Sequence, residues 1–210
     1  MSERKPYFPF FMDIAGAKGL IIGGGRRAYQ KINRMLPYGP EITVIAPEVL
    51  PEIEKIEGIR LIKRDFLEED LEMEPDFVVV ADGDKEQKRF ISSYCEERRI
   101  PVNVVDDAPY CSYIYPALIS QGDLSIGIST GGKSPTVTSI LKERMLELIP
   151  DNIEDILDWL EGLRPMMKRR FPMERERAKA FRKIAEECME RKDVLTDEEV
   201  EHIIKCLGDK

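Results

Sequence analysis

Three consecutive glycines near the start of the chain have the spacing of a phosphate-binding turn. Gly23 and Gly25, with Ala28 three positions later, satisfy the Gly-x-Gly-x-x-Gly/Ala pattern of dinucleotide sites. There the first glycine makes the turn, the second lets the backbone approach a pyrophosphate, and the small third residue allows close packing of helix on strand. The apolar run 18–22 precedes the glycines and a helical stretch begins at Arg26. A bound phosphate would therefore face a helix N-terminus, and the pattern predicts a dinucleotide site.

An acidic residue and an Ala-Asp pair follow two of the other predicted strands. Glu48 comes at the end of the second strand, where an acidic side chain can accept hydrogen bonds from ribose hydroxyls and disfavour a 2′-phosphate. This favours NAD over NADP, although the basic residues after the glycines could offset a phosphate charge. Ala81 and Asp82 follow the fourth strand and would form the far lip of the same crevice.

Two adjacent aspartates, Asp106 and Asp107, end the fifth predicted strand. Neighbouring side chains near a strand end point in opposite directions, so one aspartate can face the crevice while the other caps the turn at 108–109. Spacing alone leaves open which one does so. Beside a nicotinamide, an aspartate can take a proton from substrate carbon or nitrogen as hydride leaves. The alternative is a pair of turn-capping carboxylates with no catalytic role.

A polar, glycine-rich loop at 129–134 leads into a predicted helix and could cradle carboxylates or phosphates, with Lys133 as the point charge. The spacing from Gly127 to Ser134 nearly fits the nucleotide phosphate loop. Two features argue against that interpretation: Pro135 would remove an amide from the first helical turn, and the preceding strand belongs to a predicted hairpin. If the protein bound ATP tightly and Lys133→Ala abolished that binding, the phosphate-loop interpretation would be supported after all.

Strands alternate with helical stretches over the first half of the chain. The apolar run 77–81 is typical of a central parallel strand that helices cover on both faces. Alternation of this kind predicts right-handed crossovers and a Rossmann-like, doubly wound parallel sheet of the α/β class. The predicted strands are 18–22, 41–46, 59–63, 77–81 and 101–105, with helices at 26–36 and 85–98.

The second half has a different pattern. Strand-like segments at 113–119 and 124–129 flank a hairpin signal, and Ser134-Pro135 opens a helix to about residue 148. This small α+β segment buries too little to stand alone, so we expect a second copy to complete it in a homodimer. Helical spacing follows Pro150, and a capping box begins the last helix. The predicted domains are 1–112 for dinucleotide binding, 113–150 for dimerisation and substrate, and 151–210 as a helical module.

Composition argues against several other classes of protein. No apolar run approaches the ~20 residues that cross a bilayer and no signal segment follows 1–6, so we expect a cytoplasmic protein that does not bind a membrane. A net charge of −8 argues against nucleic-acid binding and requires basic residues to gather around any anionic substrate. The scattered cysteines and single His202 predict no metal site.

The basic stretch 164–183 is either a solvated face or a surface that attracts an anionic substrate.

Together these motifs resemble the precorrin-2 dehydrogenase and siroheme synthase N-terminal family. The resemblance covers residues 7–163. It implies a homodimer that oxidises precorrin-2 to sirohydrochlorin with NAD in siroheme biosynthesis; some members also insert ferrous iron. The matching segments are 7–13, 23–31, 43–48, 102–106, 111–114 and 129–135.

The resemblance also implies residue roles. The family's essential aspartate follows an Asn-Val-Val run and corresponds to Asp106, as general base. Arg27 is a departure from the family, which usually has valine or isoleucine at this position. Its charge could change cofactor affinity, or its side chain could reach the acetate and propionate groups of the substrate.

The expected cofactor contacts are Gly23, Gly24, Gly25, Arg26, Arg27, Pro47, Glu48, Ala81 and Asp82. The expected substrate contacts are Ser112, Ser129, Thr130, Gly131, Gly132 and Lys133.

Two alternative functions stay open. One is a bifunctional dehydrogenase and ferrochelatase that takes ferrous iron as a further substrate. The other belongs to a different class: a non-catalytic module that senses NAD(H) and signals through the basic helical tail. A sensor of this kind would bind the cofactor without turnover.

Overall fold

The computed structural model describes residues 7–208. The chain divides into two compact units, the first ending at Tyr115 and the second beginning at Pro116. The finer division into 1–112, 113–150 and 151–210 stays a prediction. Residues 1–6, after which the sequence predicts no signal segment, lie outside the described residues.

The first unit is built on a parallel sheet of five strands in the order β3-β2-β1-β4-β5. The chain runs outward from β1 through β2 to β3, then returns to the other side of β1 for β4 and β5. The doubly wound prediction is confirmed, with its reversal point between β1 and β4. The strands are β1 (Lys18–Ile22), β2 (Glu41–Ile45), β3 (Arg60–Ile62), β4 (Phe77–Val80) and β5 (Val102–Val104), and the helices are α1 (Arg26–Met35), α2 (Pro51–Glu54) and α3 (Lys85–Arg98).

Strand β4 shows why this sheet is covered on both faces. All of its residues are buried, and their side chains alternate between two cores, as a period of two requires. Val78 and Val80 pack in the core that contains Ile91 of α3, whereas Val79 packs in the core that contains Ile32 of α1. Burial of each such aliphatic side chain contributes about 1.5–3 kcal/mol. These two cores hold the carboxyl ends of the strands in place.

The second unit begins with an antiparallel hairpin of β6 (Ala117–Gln121) and β7 (Leu124–Ile128). The predicted start of its first strand at residue 113 is wrong. The Tyr113 carbonyl accepts a hydrogen bond from Asn103 at 3.0 Å, and Tyr115 packs into a core of the first unit. The ladder begins at Ala117, which pairs with Ile128.

Four helices follow: α4 (Pro135–Leu148), α5 (Ile153–Arg170), α6 (Glu174–Arg191) and α7 (Asp197–Gly208). The predicted cap of α4 is confirmed, because the Ser134 hydroxyl accepts the Val137 amide at 3.2 Å. The capping box before α7 is also confirmed, with the Thr196 amide donating to Glu199 at 2.8 Å.

Part of the basic stretch 164–183 is neutralised within its own helical module. Arg182 and Lys183 both pair with Glu186 on α6. Arg170 pairs with Glu201 of α7 at 3.3 Å. These pairs favour the interpretation of this stretch as a solvated face. Over residues 7–208, no helix is both long and apolar enough to span a membrane.

Candidate active site

The glycine turn after β1 contains three positions with different steric demands. Gly23 has φ +111°, and a Cβ there would lie 2.8 Å from the Cβ of Asp82. A Cβ on Gly24 would overlap the Glu48 carbonyl oxygen and lie 2.9 Å from the Cα of Val49. A Cβ on Gly25, at the start of α1, would have no neighbouring atom within 4 Å. The fold therefore needs the first two glycines, and the third leaves the open space that a pyrophosphate requires.

Backbone hydrogen bonds bring the loops after β2 and β4 against this turn. The Gly24 carbonyl accepts the Leu50 amide at 2.9 Å, next to the exposed residues Pro47 and Glu48. On the other side, the amides of Ala81 and Asp82 donate to the carbonyl at the end of β1. The structure thus places the predicted cofactor residues together at the carboxyl edge of the sheet, where open α/β folds bind ligands.

Asp106 lies at the same edge in a conformation that few side chains adopt. It has φ +65° and is the third residue of a turn that the Asp107 amide closes onto the Val104 carbonyl at 3.2 Å. Aspartate tolerates the left-handed region better than most residues. Its carboxylate pairs with the Arg27 guanidinium on α1. Among the two aspartates, Asp106 is therefore the one that faces the glycine turn.

Asp107 points elsewhere, and its expected role as a side-chain cap is wrong. Its carboxylate pairs with Lys88 of α3 at 2.8 Å. The following turn is closed by the Asp107 carbonyl instead, which accepts the Tyr110 amide at 3.0 Å. Because Asp106 adopts the left-handed backbone conformation, its side chain and that of Asp107 point in different directions.

The Arg27–Asp106 pair is accessible to ligands. The side chains are 59% and 61% exposed, respectively. An exposed ion pair of this kind stabilises a protein by only about 0–1 kcal/mol. Either partner can therefore exchange the other for a ligand group at little cost.

Lys31 lies one helical turn after Arg27 and is a further cation near the site, one to which no sequence motif assigns a role. Its ammonium lies 3.9 Å from the centre of the Tyr115 ring. Burial, reinforced by Arg34, lowers the pKa of Lys31 to about 8, whereas Cys111 and Asp106 oppose the shift. The spacing of Arg27 and Lys31 on one helix face was the sequence signal for this residue.

Ser112 and Cys111 both bind the backbone of β5. The Ser112 hydroxyl accepts the Val102 amide at 2.8 Å, and the Cys111 sulfur accepts the Val104 amide at 3.2 Å. These contacts hold the end of β5, and hence the Asp106 turn, in position. A substrate contact by Ser112 stays a prediction.

The loop from Ser129 to Lys133 lies in the second unit and is ordered by its own side chains. Ser129 accepts the Gly131 amide at 3.1 Å, and Thr130 accepts the Ser134 amide at 3.2 Å. Gly131 and Gly132 have φ +60° and +75°, which favours glycine at both positions. The antiparallel hairpin before the loop confirms the argument against a nucleotide phosphate loop. Substrate binding by this loop stays a prediction.

No resident metal centre is evident in the part of the chain that the structure describes. Within residues 7–208, no three His, Cys, Asp or Glu side chains lie close enough together to hold a metal ion. At the carboxyl edge, Asp106 is a carboxylate that could accept a proton, and Arg27 and Lys31 are cations close to it.

Comparison with known proteins agrees with this geometry. Residues 10–117, just over half of the chain, match the family model described as putative NAD(P)-binding. Residues 121–148 match the model of the sirohaem biosynthesis protein central region. The precorrin-2 dehydrogenase SirC has a similar fold, with a TM-score of 0.71 at 24% identity, over 97% of this chain and all of that one.

Curated relatives are longer than this chain. The siroheme synthase of Thioalkalivibrio sulfidiphilus is 32% identical over 169 residues, which are 79% of this chain and 34% of the relative. That of Actinobacillus pleuropneumoniae is 31% identical over 181 residues, 85% of this chain and 37% of the relative. The chain thus spans about a third of the length of these relatives. It belongs to the precorrin-2 dehydrogenase and siroheme synthase N-terminal family, and its first unit is a nicotinamide-dinucleotide-binding domain.

Proposed function

We propose that this chain oxidises precorrin-2 to sirohydrochlorin with NAD as the hydride acceptor, in siroheme biosynthesis. The observation that carries the proposal is the position of Asp106. Its exposed carboxylate pairs with Arg27 on α1. This helix begins directly after Gly25, beside which there is open space. A proton acceptor therefore lies beside the turn that would hold the cofactor.

The residues present fit a nicotinamide dinucleotide. Gly25 and the N-terminus of α1 would hold the pyrophosphate, and Glu48 would bind the ribose. When bound, the nicotinamide supplies an acceptor for the hydride that leaves the macrocycle. Asp106 accepts the accompanying proton, so that the substrate loses one hydride and one proton in all.

The decisive test is anaerobic incubation of precorrin-2 with the protein and NAD. We expect the absorption spectrum of sirohydrochlorin to appear only when NAD is present. Cofactor binding without conversion would overturn the proposal and favour the NAD(H)-sensing module. The same assay with ferrous iron tests the bifunctional alternative, because siroheme would then form faster than in a control without protein.

Glu48 should give the protein a preference for NAD over NADP. Its carboxylate lies on the exposed loop after β2 and would repel a 2′-phosphate. We expect NAD to bind about tenfold more tightly than NADP, which corresponds to about 1.4 kcal/mol. Glu48→Gln should reduce this ratio, whereas Glu57→Gln, with the same change of charge on another exposed residue, should not. Fluorescence titration with both cofactors measures the ratio, and equal binding by the unaltered protein would contradict the assignment.

We propose that the second unit joins two copies of the chain. No residue of α4 is buried within one chain, and Val137, Ile140, Leu141 and Leu148 are exposed on it. The hairpin packs against Met145 of α4 and Ile153 of α5 in its own chain, so a second copy would cover the apolar side chains that this packing leaves exposed on α4.

The mass in solution tests this assembly. The chain of 24.2 kDa should sediment with twice that mass, and Leu141→Glu should shift it toward the single-chain value. Lys179→Glu changes charge on the exposed face of α6 and should leave the mass unchanged. A single-chain mass for the unaltered protein at micromolar concentration would contradict the dimer.

A further inference from the structure

We propose that Arg27 and Lys31 form a carboxylate-binding subsite on α1, in which Arg27 exchanges Asp106 for an acidic side chain of the macrocycle. The inference rests on the proposed function in taking a polycarboxylate tetrapyrrole as its ligand. Arg27 and Lys31 would recognise the acidic groups of this ligand. Displacement of Asp106 from Arg27 would release the proton acceptor.

The overall charge of the protein favours a local cluster of cations at the substrate site. The chain carries a net charge of −8, so a polyanionic substrate is repelled unless cations gather locally. Arg27 and Lys31 lie one helical turn apart on the same face of α1. The next basic residue on that helix, Arg34, is near enough to lower the pKa of Lys31. This face is therefore a local concentration of positive charge beside Asp106.

The two cations of this face have different surroundings. The planar guanidinium of Arg27 already binds one carboxylate, that of Asp106. The Lys31 ammonium lies 3.9 Å from the centre of the Tyr115 ring, which packs against a core of the first unit and holds the lysine on this face of α1. A macrocycle with several peripheral carboxylates can bind both cations at once.

Exchange at Arg27 follows from the exposure of the ion pair. Both side chains are more than half exposed, so a ligand carboxylate can approach the guanidinium from solvent. When it replaces Asp106, the Asp106 carboxylate loses its cationic partner and becomes available to accept a proton. Binding of the correct substrate would thus activate the base.

The exchange is tested by binding of uroporphyrin, a stable tetrapyrrole with acetate and propionate groups, measured by fluorescence. Arg27→Val, which installs the residue typical of the family, should weaken binding about tenfold, the order of one lost charge-assisted hydrogen bond. Asp106→Asn should tighten it several-fold, because the competing carboxylate is gone. When Arg27→Val is already present, Asp106→Asn should raise uroporphyrin affinity little, because the guanidinium for which the two carboxylates compete is absent. Coproporphyrin, which lacks the acetates, should respond less to each change.

The contribution of Lys31 is tested by pH. A lysine with a pKa of about 8 is charged below that pH and neutral above it, so uroporphyrin affinity should fall as pH rises through about 8. Lys31→Met should flatten this dependence. The groups that face Lys31 are Arg34 on its own helix, Asp106, Cys111 and the ring of Tyr115. Burial raises the pKa of Tyr115 to about 12, so this tyrosine stays neutral across the range.

Arg98→Val is the matched control for charge. Arg98 is an exposed arginine at the end of α3 that lies over Tyr94 and pairs with Glu97. Its removal changes net charge as Arg27→Val does and should leave uroporphyrin affinity within about twofold. Thermal denaturation of each variant confirms that it is folded.

The outcomes separate this inference from the proposed function. If Arg27→Val weakens NAD binding but not uroporphyrin binding, Arg27 serves the cofactor and the inference is wrong. If the effects of Arg27→Val and Asp106→Asn simply add, there is no exchange and the inference is wrong, even if NAD-dependent oxidation is observed. If the effects are coupled and precorrin-2 is not oxidised, the subsite stands and only the proposed function fails.

Discussion

Asp106→Asn should lower the rate of NAD-dependent precorrin-2 oxidation by about 10²–10⁴-fold, the range expected for loss of a general base. Asparagine has nearly the same shape but cannot accept the proton under these conditions. It also tolerates the left-handed conformation, with φ +65°, that this position requires. The loss should appear in kcat, with NAD affinity within about twofold, because Asp106 would act on the substrate.

Asp107→Asn is the control for this prediction. Asp107 is the adjacent carboxylate, but it pairs with Lys88 on α3 rather than with Arg27. We expect a rate within about threefold of the unaltered protein. Because the Lys88 partner is only 17% exposed, thermal denaturation is used to confirm that the variant is folded. Equal losses in both variants, or full activity in Asp106→Asn, would contradict the assignment of the base.

Gly25→Ala should abolish most cofactor binding and leave the fold intact. The added methyl group would enter the open space above α1, where no protein atom lies within 4 Å. The backbone there has φ −87°, which alanine adopts without strain. The methyl would instead obstruct the approach of a pyrophosphate to the helix N-terminus. We expect NAD affinity to fall by about 100-fold, with the free energy of unfolding within about 1 kcal/mol.

Gly24→Ala provides the contrast. Its methyl group would overlap the Glu48 carbonyl and approach the Cα of Val49 to 2.9 Å. Both obstacles are backbone, so the loop after β2 would have to move, at a cost of about 1–3 kcal/mol. Calorimetric titration with NAD and chemical denaturation measure the two quantities separately. Unchanged NAD affinity in a folded Gly25→Ala variant would contradict the placement of the pyrophosphate.

The strand and helix pattern of the first unit could be predicted because its signals are local. The run before the glycines and the uninterrupted apolar strand β4 each occur in the structure where the sequence predicts them. The predicted start of a strand at residue 113 is wrong because of tertiary contacts. Tyr113 and Tyr115 have the composition of a strand, but their partners lie in the first unit.

The arrangement of the candidate site was only partly predictable. The carboxyl ends of parallel strands meet at one edge, so the sequence alone indicates that the glycine turn, Glu48 and an aspartate share a crevice. It also indicates that this crevice needs local positive charge. It does not indicate which aspartate faces inward or which cation that aspartate meets.

The sequence by itself therefore determined the order of strands and helices, the phosphate-type turn and the edge of the sheet where chemistry can occur. Those properties depend on residues that are neighbours along the chain. Only the tertiary structure decided that Asp106 faces Arg27, that Asp107 faces Lys88, and that Lys31 is partly buried against Tyr115. Each of these contacts joins segments distant in sequence, and the direction of both aspartates depends on a single backbone angle, the positive φ of Asp106.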